Sequence, residues 1–469
     1  MSATIKVRSF LDVWLLPMNS NEMSAEAGGG PEVVPPCGVS PPPHAVRNST
    51  SAASKALTII VFSGKSGCAA ANCAHHARPR FPQQQAGTMQ ATGRTPRESF
   101  AIDDAVTYLN SASLGPRLRA VDAAGHTAVE RMAAPWNVRS ADWFADGRAL
   151  RALFASLIGA PAECVALVPS VSYGIAVAAR NLPVAAGDNI VVIDQEYPSN
   201  FYSWRRLARE RGAEIRTAVA RGGSITDAVV SSIDRHTAVV AVANCHWTNG
   251  ALVDLARVAS AARRHDAALV VDASQSLGAY PFDVAEIRPD FLVTVGYKWL
   301  LGPYGLGYLY VAERWHAKGE PLEEPWLNRA GSENFAGLVD YTDEYQPGAQ
   351  RFNMGESAQF YLLPMALAAL TQIAQWTPAR IQQQLTEWTS ELTARTATLG
   401  LDSMGREQRV GHMVGLTARG ALPPGLFDAL ASRQVYVGAR GNNIRVSPHL
   451  HSTAADLERL VAALQELLA

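Results

Sequence analysis

The stretch "TVGYKWLLGPYGLGYLYV", residues 294–311, places one lysine, Lys298, between an apolar run and a segment rich in glycine. The run "FLVTV" before it has the length and β-branched content of a buried strand. The glycines of "GPYGLG" suit a tight turn, after which "YLYV" re-enters a sheet. An amine at that junction either ends a strand as a solvated charge or is brought to something it reacts with.

Upstream, the same texture repeats. "CVALVPS" leads into "VSYGIAVAARNL", "NIVVID" into "SNFYSWRRLARERG", "TAVVAVAN" into "LVDLARVASAARRHD", and "ALVVDAS" follows. Strands this continuously apolar are covered on both faces, and the helices between them are the crossovers that parallel pairing needs. The pattern predicts a doubly wound α/β domain with a mostly parallel sheet. Beyond residue 311 the texture changes to a long loop, then "QFYLLPMALAALTQIAQW", strands "HMVGLT" and "NIRVS", and the closing helix "TAADLERLVAALQELL". In that helix Thr453 and Asp456 stand as an N-cap and its N3 partner. This predicts a smaller α+β domain. The expected division is 1–95, 96–350 and 351–469, with no internal repeat.

Composition narrows the function classes. The 469 residues are 48% hydrophobic, enough for two cores, and a net charge of −1 gives no pull toward nucleic acid or anionic membrane. Five cysteines, Cys37, Cys68, Cys73, Cys164 and Cys245, lack zinc-site spacing and disulfide-scaffold density, so a reducing cytosol is expected. No apolar run reaches the roughly 18 residues of a membrane span. "FLDVWLLPM" near the start is short and carries Asp12, so no secretory signal is read there. Residues 1–95 are rich in Gly, Pro, Ser and Gln and are expected to be disordered. Globular patterning begins shortly after Met89, which is the expected start of the natural product; mass spectrometry finding an intact terminus at Met1 would overturn this.

In open α/β sheets, ligands bind beyond the carboxyl ends of the strands. After "CVALVP", Ser170, Ser172 and Tyr173 open a helix, which suits either a phosphate or a plain N-cap. After "NIVVID", Tyr197 suits either a flat ligand or ordinary packing. After "TAVVAVAN", Cys245, His246 and Trp247 are either a polar and aromatic cluster or a turn with a satisfied histidine. "ALVVDASQ" ends a strongly apolar strand on Asp272, a carboxylate costly to bury unless paired or hydrogen-bonded, with Gln275 close behind. Asp272 and Lys298 on successive strand ends form either an ion pair or the two ends of one cofactor site.

"VVDASQ" followed by "GYKWLLGPYGLGYLYV" resembles the signature of class V aminotransferase-fold enzymes, the pyridoxal 5'-phosphate (PLP) group that includes cysteine desulfurases, kynureninases and isopenicillin N epimerase-like proteins. The resemblance runs from "YLNSASLGP" through "RFNMGES" to "NIRVSPH", nearly all of residues 96–469. It implies the PLP-dependent transferase fold, fold type I. It further implies that Lys298 carries PLP as a Schiff base and then moves the α proton, with Asp272 against the pyridine nitrogen. Gln275 would approach the phenolic oxygen or support Asp272, and Tyr197 would stack on the ring. Ser170, Ser172 and Tyr297 would hold the phosphate, and His246 would approach the phenolic oxygen. Arg445 matches the arginine that clamps the substrate α-carboxylate. Gly355, Glu356 and Ser357 would complete the phosphate site of a neighbouring copy, which implies a homodimer.

Departures from the family pattern narrow the reaction. Cysteine desulfurases carry a nucleophilic cysteine shortly before the substrate arginine, and "VYVGARGNN", residues 435–443, has none. A desulfurase of the usual mechanism is therefore not expected, and Cys245 is read as a buried filler. An aminotransferase acting on an amino acid is the expectation; an isopenicillin N epimerase-like epimerase or a lyase is the alternative, and a PLP-binding regulatory protein the non-enzymatic one. A Rossmann enzyme is disfavoured because "VPSVSYG" lacks GxGxxG.

Overall fold

The computed structural model describes residues 96–468. The expected disorder of residues 1–95 and the expected start at Met89 fall outside the described residues. The strands are β1 (Thr107–Tyr108), β2 (Val165–Val168), β3 (Asn189–Ile193), β4 (Glu214–Ala218), β5 (Thr237–Ala243), β6 (Ala268–Asp272), β7 (Phe291–Val295), β8 (Gly307–Val311), β9 (Leu401–Asp402), β10 (Val414–Ala418), β11 (Val435–Tyr436), β12 (Gly438–Arg440) and β13 (Asn443–Val446).

Seven strands form one sheet in the order β2-β8-β7-β6-β5-β3-β4. The pairs β3/β4, β3/β5, β5/β6 and β6/β7 are parallel, and β8 runs antiparallel to β7 and β2. The mostly parallel sheet is as expected. β8 reverses because residues 296–306 carry no crossover helix, so the chain can only return beside β7 as a wide hairpin. Gly302 donates to the Gly296 carbonyl at 2.8 Å and Gly296 to that of Leu306 at 2.9 Å. A Cβ on Gly296 would stand 2.8 Å from the Leu306 oxygen, so this fold-back needs glycine there.

Both faces of the sheet are buried, and strand alternation assigns the residues. Leu167, Val191, Val240, Val242, Leu269 and Val271 pack on one side; Ala166, Val168, Ile190, Val192, Val239 and Val270 pack on the other. Burying each such Val, Leu or Ile contributes about 1.5–3 kcal/mol, which is why the strands read as unbroken apolar runs.

The second sheet is antiparallel, in the order β12-β13-β10-β9. Its core joins Val414, Leu416, Ile444 and Val446 to Leu457, Leu460 and Leu464 of the helix Ala454–Leu468. That helix starts with the expected capping box: Thr453 N–H donates to Asp456 Oδ2 at 2.8 Å, and Asp456 N–H to Thr453 Oγ1 at 3.3 Å. The first described strand also lies in this region. β1 pairs in parallel with β11, and Asn110 bridges to Ser447, so residues 107–110 lie beside the last strands of the protein. No helix of the described residues is long and apolar enough to cross a membrane.

Candidate active site

β2 and β7 both run antiparallel to β8, so β2 points the same way as β7 and the parallel strands beside it. The carboxyl ends of β2, β3, β5, β6 and β7 therefore meet at one edge. A cavity of about 240 Å³ opens there, and Ser170, Ser172, Tyr197, Asp272, Gln275, Tyr297 and Lys298 all line it.

Lys298 follows β7 and is 6% exposed. Its Nζ lies 5.3 Å from the centre of the Tyr197 ring and 5.9 Å from that of Tyr297. Burial pulls its pKa down to about 8; the Asp272 carboxylate works against that fall, and the Arg445 and Arg440 guanidiniums add to it. Asp272, the last residue of β6, is 5% exposed and accepts the Ser274 N–H at 2.9 Å through Oδ1. Burial raises its carboxyl above the ordinary range, opposed by Ser274 and by Lys298. A buried acid raised and a buried amine lowered, in one cavity, are two groups whose attraction for each other does not offset the cost of burial.

Also on the cavity wall, Ser170 caps the helix Val171–Asn181, accepting the Tyr173 N–H at 3.2 Å and sharing a 2.9 Å hydrogen bond with Ser172 Oγ. The two hydroxyls stand at a helix N-terminus, where the first N–H groups lack intrahelical partners and the dipole favours an anion. Burial raises the Tyr297 phenol to about 12, so it is a hydrogen-bond donor at neutral pH. Tyr197 sets its ring edge-on to Trp247, with centroids 5.4 Å apart.

Gln275 lines the cavity, but its amide is committed behind it. Nε2 donates to the Ala112 carbonyl at 3.0 Å, and Oε1 accepts the Trp299 indole N–H at 3.1 Å. His246 does not line the cavity. The bridge between Cys245 and Leu252 keeps the chain extended past β5, so Ala243, Cys245 and Trp247 face the cavity while Asn244 and His246 face a separate cleft. Both imidazole nitrogens are held there, Nδ1 by Thr248 Oγ1 at 2.8 Å and Nε2 by the Asp194 carbonyl at 3.1 Å.

Arg445 arrives from the other sheet. It is 1% exposed; Nη1 donates to the Trp247 carbonyl at 2.8 Å, Nη2 to Asn110 Oδ1 at 3.2 Å, and its buried Nε has no partner. Among the described residues no carboxylate pairs with it, and burial followed by the neighbouring Arg440 lowers its pKa to about 9.

Two residues of the region escaped the sequence reading. Glu196 lines the cavity at 8% exposure, with Oε1 accepting the Tyr197 N–H at 2.6 Å and Oε2 the Ala243 N–H at 3.2 Å. Burial, then the Asp272 charge, raise it to about 8. Like Asp272, Glu196 is an acid at the carboxyl end of an apolar strand. Arg440 lies over Trp247, its guanidinium carbon 5.2 Å from the ring centre.

With this geometry in place, the family model of aminotransferase class V matches residues 124–460, more than half of the chain. The chain belongs to the class V aminotransferase family. An isopenicillin N epimerase of Amycolatopsis lactamdurans is 27% identical over 406 residues, 79% of this chain and 97% of that one. A probable cysteine desulfurase of Methanothermobacter thermautotrophicus is 26% identical over 338 residues, 67% of this chain and 81% of its own. Among solved structures, a C-DES mutant with glycine covalently linked to its PLP cofactor superposes with a TM-score of 0.73 at 19% identity, covering 79% of this chain and 99% of that one. An apo cysteine desulfurase of Thermococcus onnurineus gives 0.71 at 20% identity, covering 80% and 98%. At those identities the likeness establishes the fold, that of class V members.

Proposed function

We propose that this class V family member is a PLP-dependent aminotransferase acting at the α carbon of an amino acid. The observation that carries the reading is that buried Asp272 and the buried low-pKa amine of Lys298 share one cavity, while Arg445, without a carboxylate partner, is bonded to the carbonyl of Trp247 on that cavity's wall and acts on the Lys298 charge. The residues suit PLP. Asp272 would face the pyridine nitrogen, Lys298 would hold the aldehyde carbon, Tyr197 would lie on the ring, and Ser170, Ser172 and Tyr297 would hold the phosphate. When bound, PLP supplies an electron-accepting ring that makes the hydrogen on the α carbon acidic.

The chain's own residues supply the rest. Arg445 holds the α-carboxylate in a planar two-pronged grip and so fixes which bond at the α carbon faces the cavity. Lys298 takes the proton from the α carbon and returns it; a pKa of about 8 keeps a useful fraction of the amine neutral near neutral pH. Tyr297 and Cys245 are raised by burial and stay protonated at pH 7, and both oxygens of Glu196 are taken up by the main-chain N–H groups of Tyr197 and Ala243, which supports Lys298 as the base on the cavity wall. That supports a proton moved on one face over an exchange between two bases. Burial, which pushes the Cys245 thiol up, also weighs against desulfurase chemistry at that residue.

An epimerase is the second reading, favoured by the match to nearly the whole length of an isopenicillin N epimerase. The proposal extends to a homodimer in which Gly355, Glu356 and Ser357 of one copy complete the other's phosphate site. Tyr304, 72% exposed on the cavity wall, supports a covering surface there. A cytoplasmic setting is supported by the free thiols of Cys164 and Cys245.

The test is chemical. Borohydride reduction and peptide mass spectrometry should find the pyridoxyl group on the peptide containing Lys298, and Lys298→Ala should lose it. An amino acid screen should then yield keto acid. A D-isomer would transfer the assignment to the epimerase reading, and unchanged labelling of Lys298→Ala would end the cofactor reading.

A further inference from the structure

Strands β12 and β13 form a hairpin turned at Gly441 and Asn442, with Gly438 opposite Arg445 and Arg440 opposite Asn443. Residues opposite one another in an antiparallel pair share a face, as do residues two apart in one strand. Arg440 and Arg445 therefore leave the same face as diagonal neighbours. Gly438 makes room for this: a Cβ there would stand 3.1 Å from Arg445 Nε and 3.1 Å from Asn110 Oδ1.

The hydrogen bonding of Arg440 is incomplete. Its guanidinium lies 5.2 Å from the centre of the Trp247 ring, Nη1 donates to the Ala439 carbonyl at 2.5 Å, and its buried Nε has no partner. Among the described residues neither Arg440 nor Arg445 is in an ion pair. Two like charges on one hairpin face, each with an unpaired buried Nε, repel each other and lack hydrogen bonds. Trp247 also lines the cavity of Lys298, and the Arg440 charge is close enough to act on Lys298 and Tyr197, so Arg440 stands just behind the Trp247 wall of that cavity.

We propose that Arg440, held against Trp247, forms a second anionic subsite beside Arg445, so that the preferred substrates are amino acids whose side chain ends in a carboxylate. The inference rests on the reading of Arg445 as the α-carboxylate clamp. A guanidinium lying on an indole offers its fork in one plane, which matches a planar carboxylate. A neutral side chain would leave both the charge and the Nε proton unanswered.

Calorimetric titration of the full-length protein with succinate, glutarate and adipate, against monocarboxylates of the same carbon number, tests this. At least one dicarboxylate should bind about tenfold tighter than its matched monocarboxylate. Arg440→Gln should abolish that preference while leaving monocarboxylate binding within about twofold, and Arg440→Lys should keep part of it. Three outcomes overturn the inference: no preference in the unsubstituted protein, an equal loss for both ligand types in Arg440→Gln, or no change in either. These ligands carry no amino group, so failure of the aminotransferase reading would leave the binding result intact. Conversely, amino acid turnover without dicarboxylate preference would remove the second subsite alone.

Discussion

Arg445 on β13 donates to the main-chain carbonyl of Trp247, just beyond β5, at 2.8 Å. This bond carries a charge from the C-terminal sheet to the cavity edge of the large one. A guanidinium 1% exposed, balanced only by a carbonyl and an amide oxygen, is incompletely compensated, and a substrate carboxylate would supply what is missing.

Arg445→Gln should therefore raise the amino acid concentration needed for half-maximal turnover by about a hundredfold, with a smaller effect on the rate at saturation. Arg445→Lys should recover little, because a point charge cannot grip both oxygens. Steady-state kinetics on a turned-over amino acid measures this, and an unchanged KM in Arg445→Gln would remove the clamp.

Uptake of PLP by the cofactor-free protein should accelerate as pH rises through about 8 and level off above it, because only the neutral Lys298 amine attacks the aldehyde. An ordinary lysine would keep accelerating toward 10.5. Asp272 raises the Lys298 pKa, so Asp272→Asn should move the midpoint to lower pH. Stopped-flow absorbance across pH checks both; a midpoint near 10.5 contradicts the buried environment.

Gly115 donates to the Tyr297 carbonyl at 2.8 Å, and a Cβ on it would stand 2.1 Å from the Lys298 carbonyl oxygen. Backbone atoms cannot swing aside as a side chain end can. Gly115→Ala should cost about 3 kcal/mol and weaken cofactor retention by shifting Lys298. Gly420→Ala, with nothing within 4 Å of its Cβ, should stay within about 0.5 kcal/mol in the same denaturant titration.

Cys245→Ala should leave amino acid turnover within about threefold, because a buried protonated thiol acts as a small packing group. Parallel assays for keto acid and for sulfide from cysteine distinguish the cases: sulfide release abolished by this substitution would reinstate desulfurase chemistry.

Unbroken apolar runs identified the strands, and the polar residues at their ends placed Asp272, Tyr197, Ser170 and Lys298 at the carboxyl edge of the sheet, where they line one cavity. Their position on one cavity was legible because alternation and burial are local: a side chain at a strand end lies near that end whatever the rest of the chain does. His246 failed the same reasoning because the long-range bridge between Cys245 and Leu252 sets which residues beyond β5 face the cavity. Glu196, three residues beyond β3, follows the same local rule as Asp272.

The sequence by itself determined a mostly parallel sheet with an acid and an amine at adjacent strand ends. Tertiary structure decided that residues 107–110 lie against the last strands, that Asn110 and the Trp247 carbonyl receive Arg445, and that Arg440 lies on Trp247. Those contacts join positions more than a hundred residues apart, and the charge balance of a buried group depends on whatever the fold brings beside it.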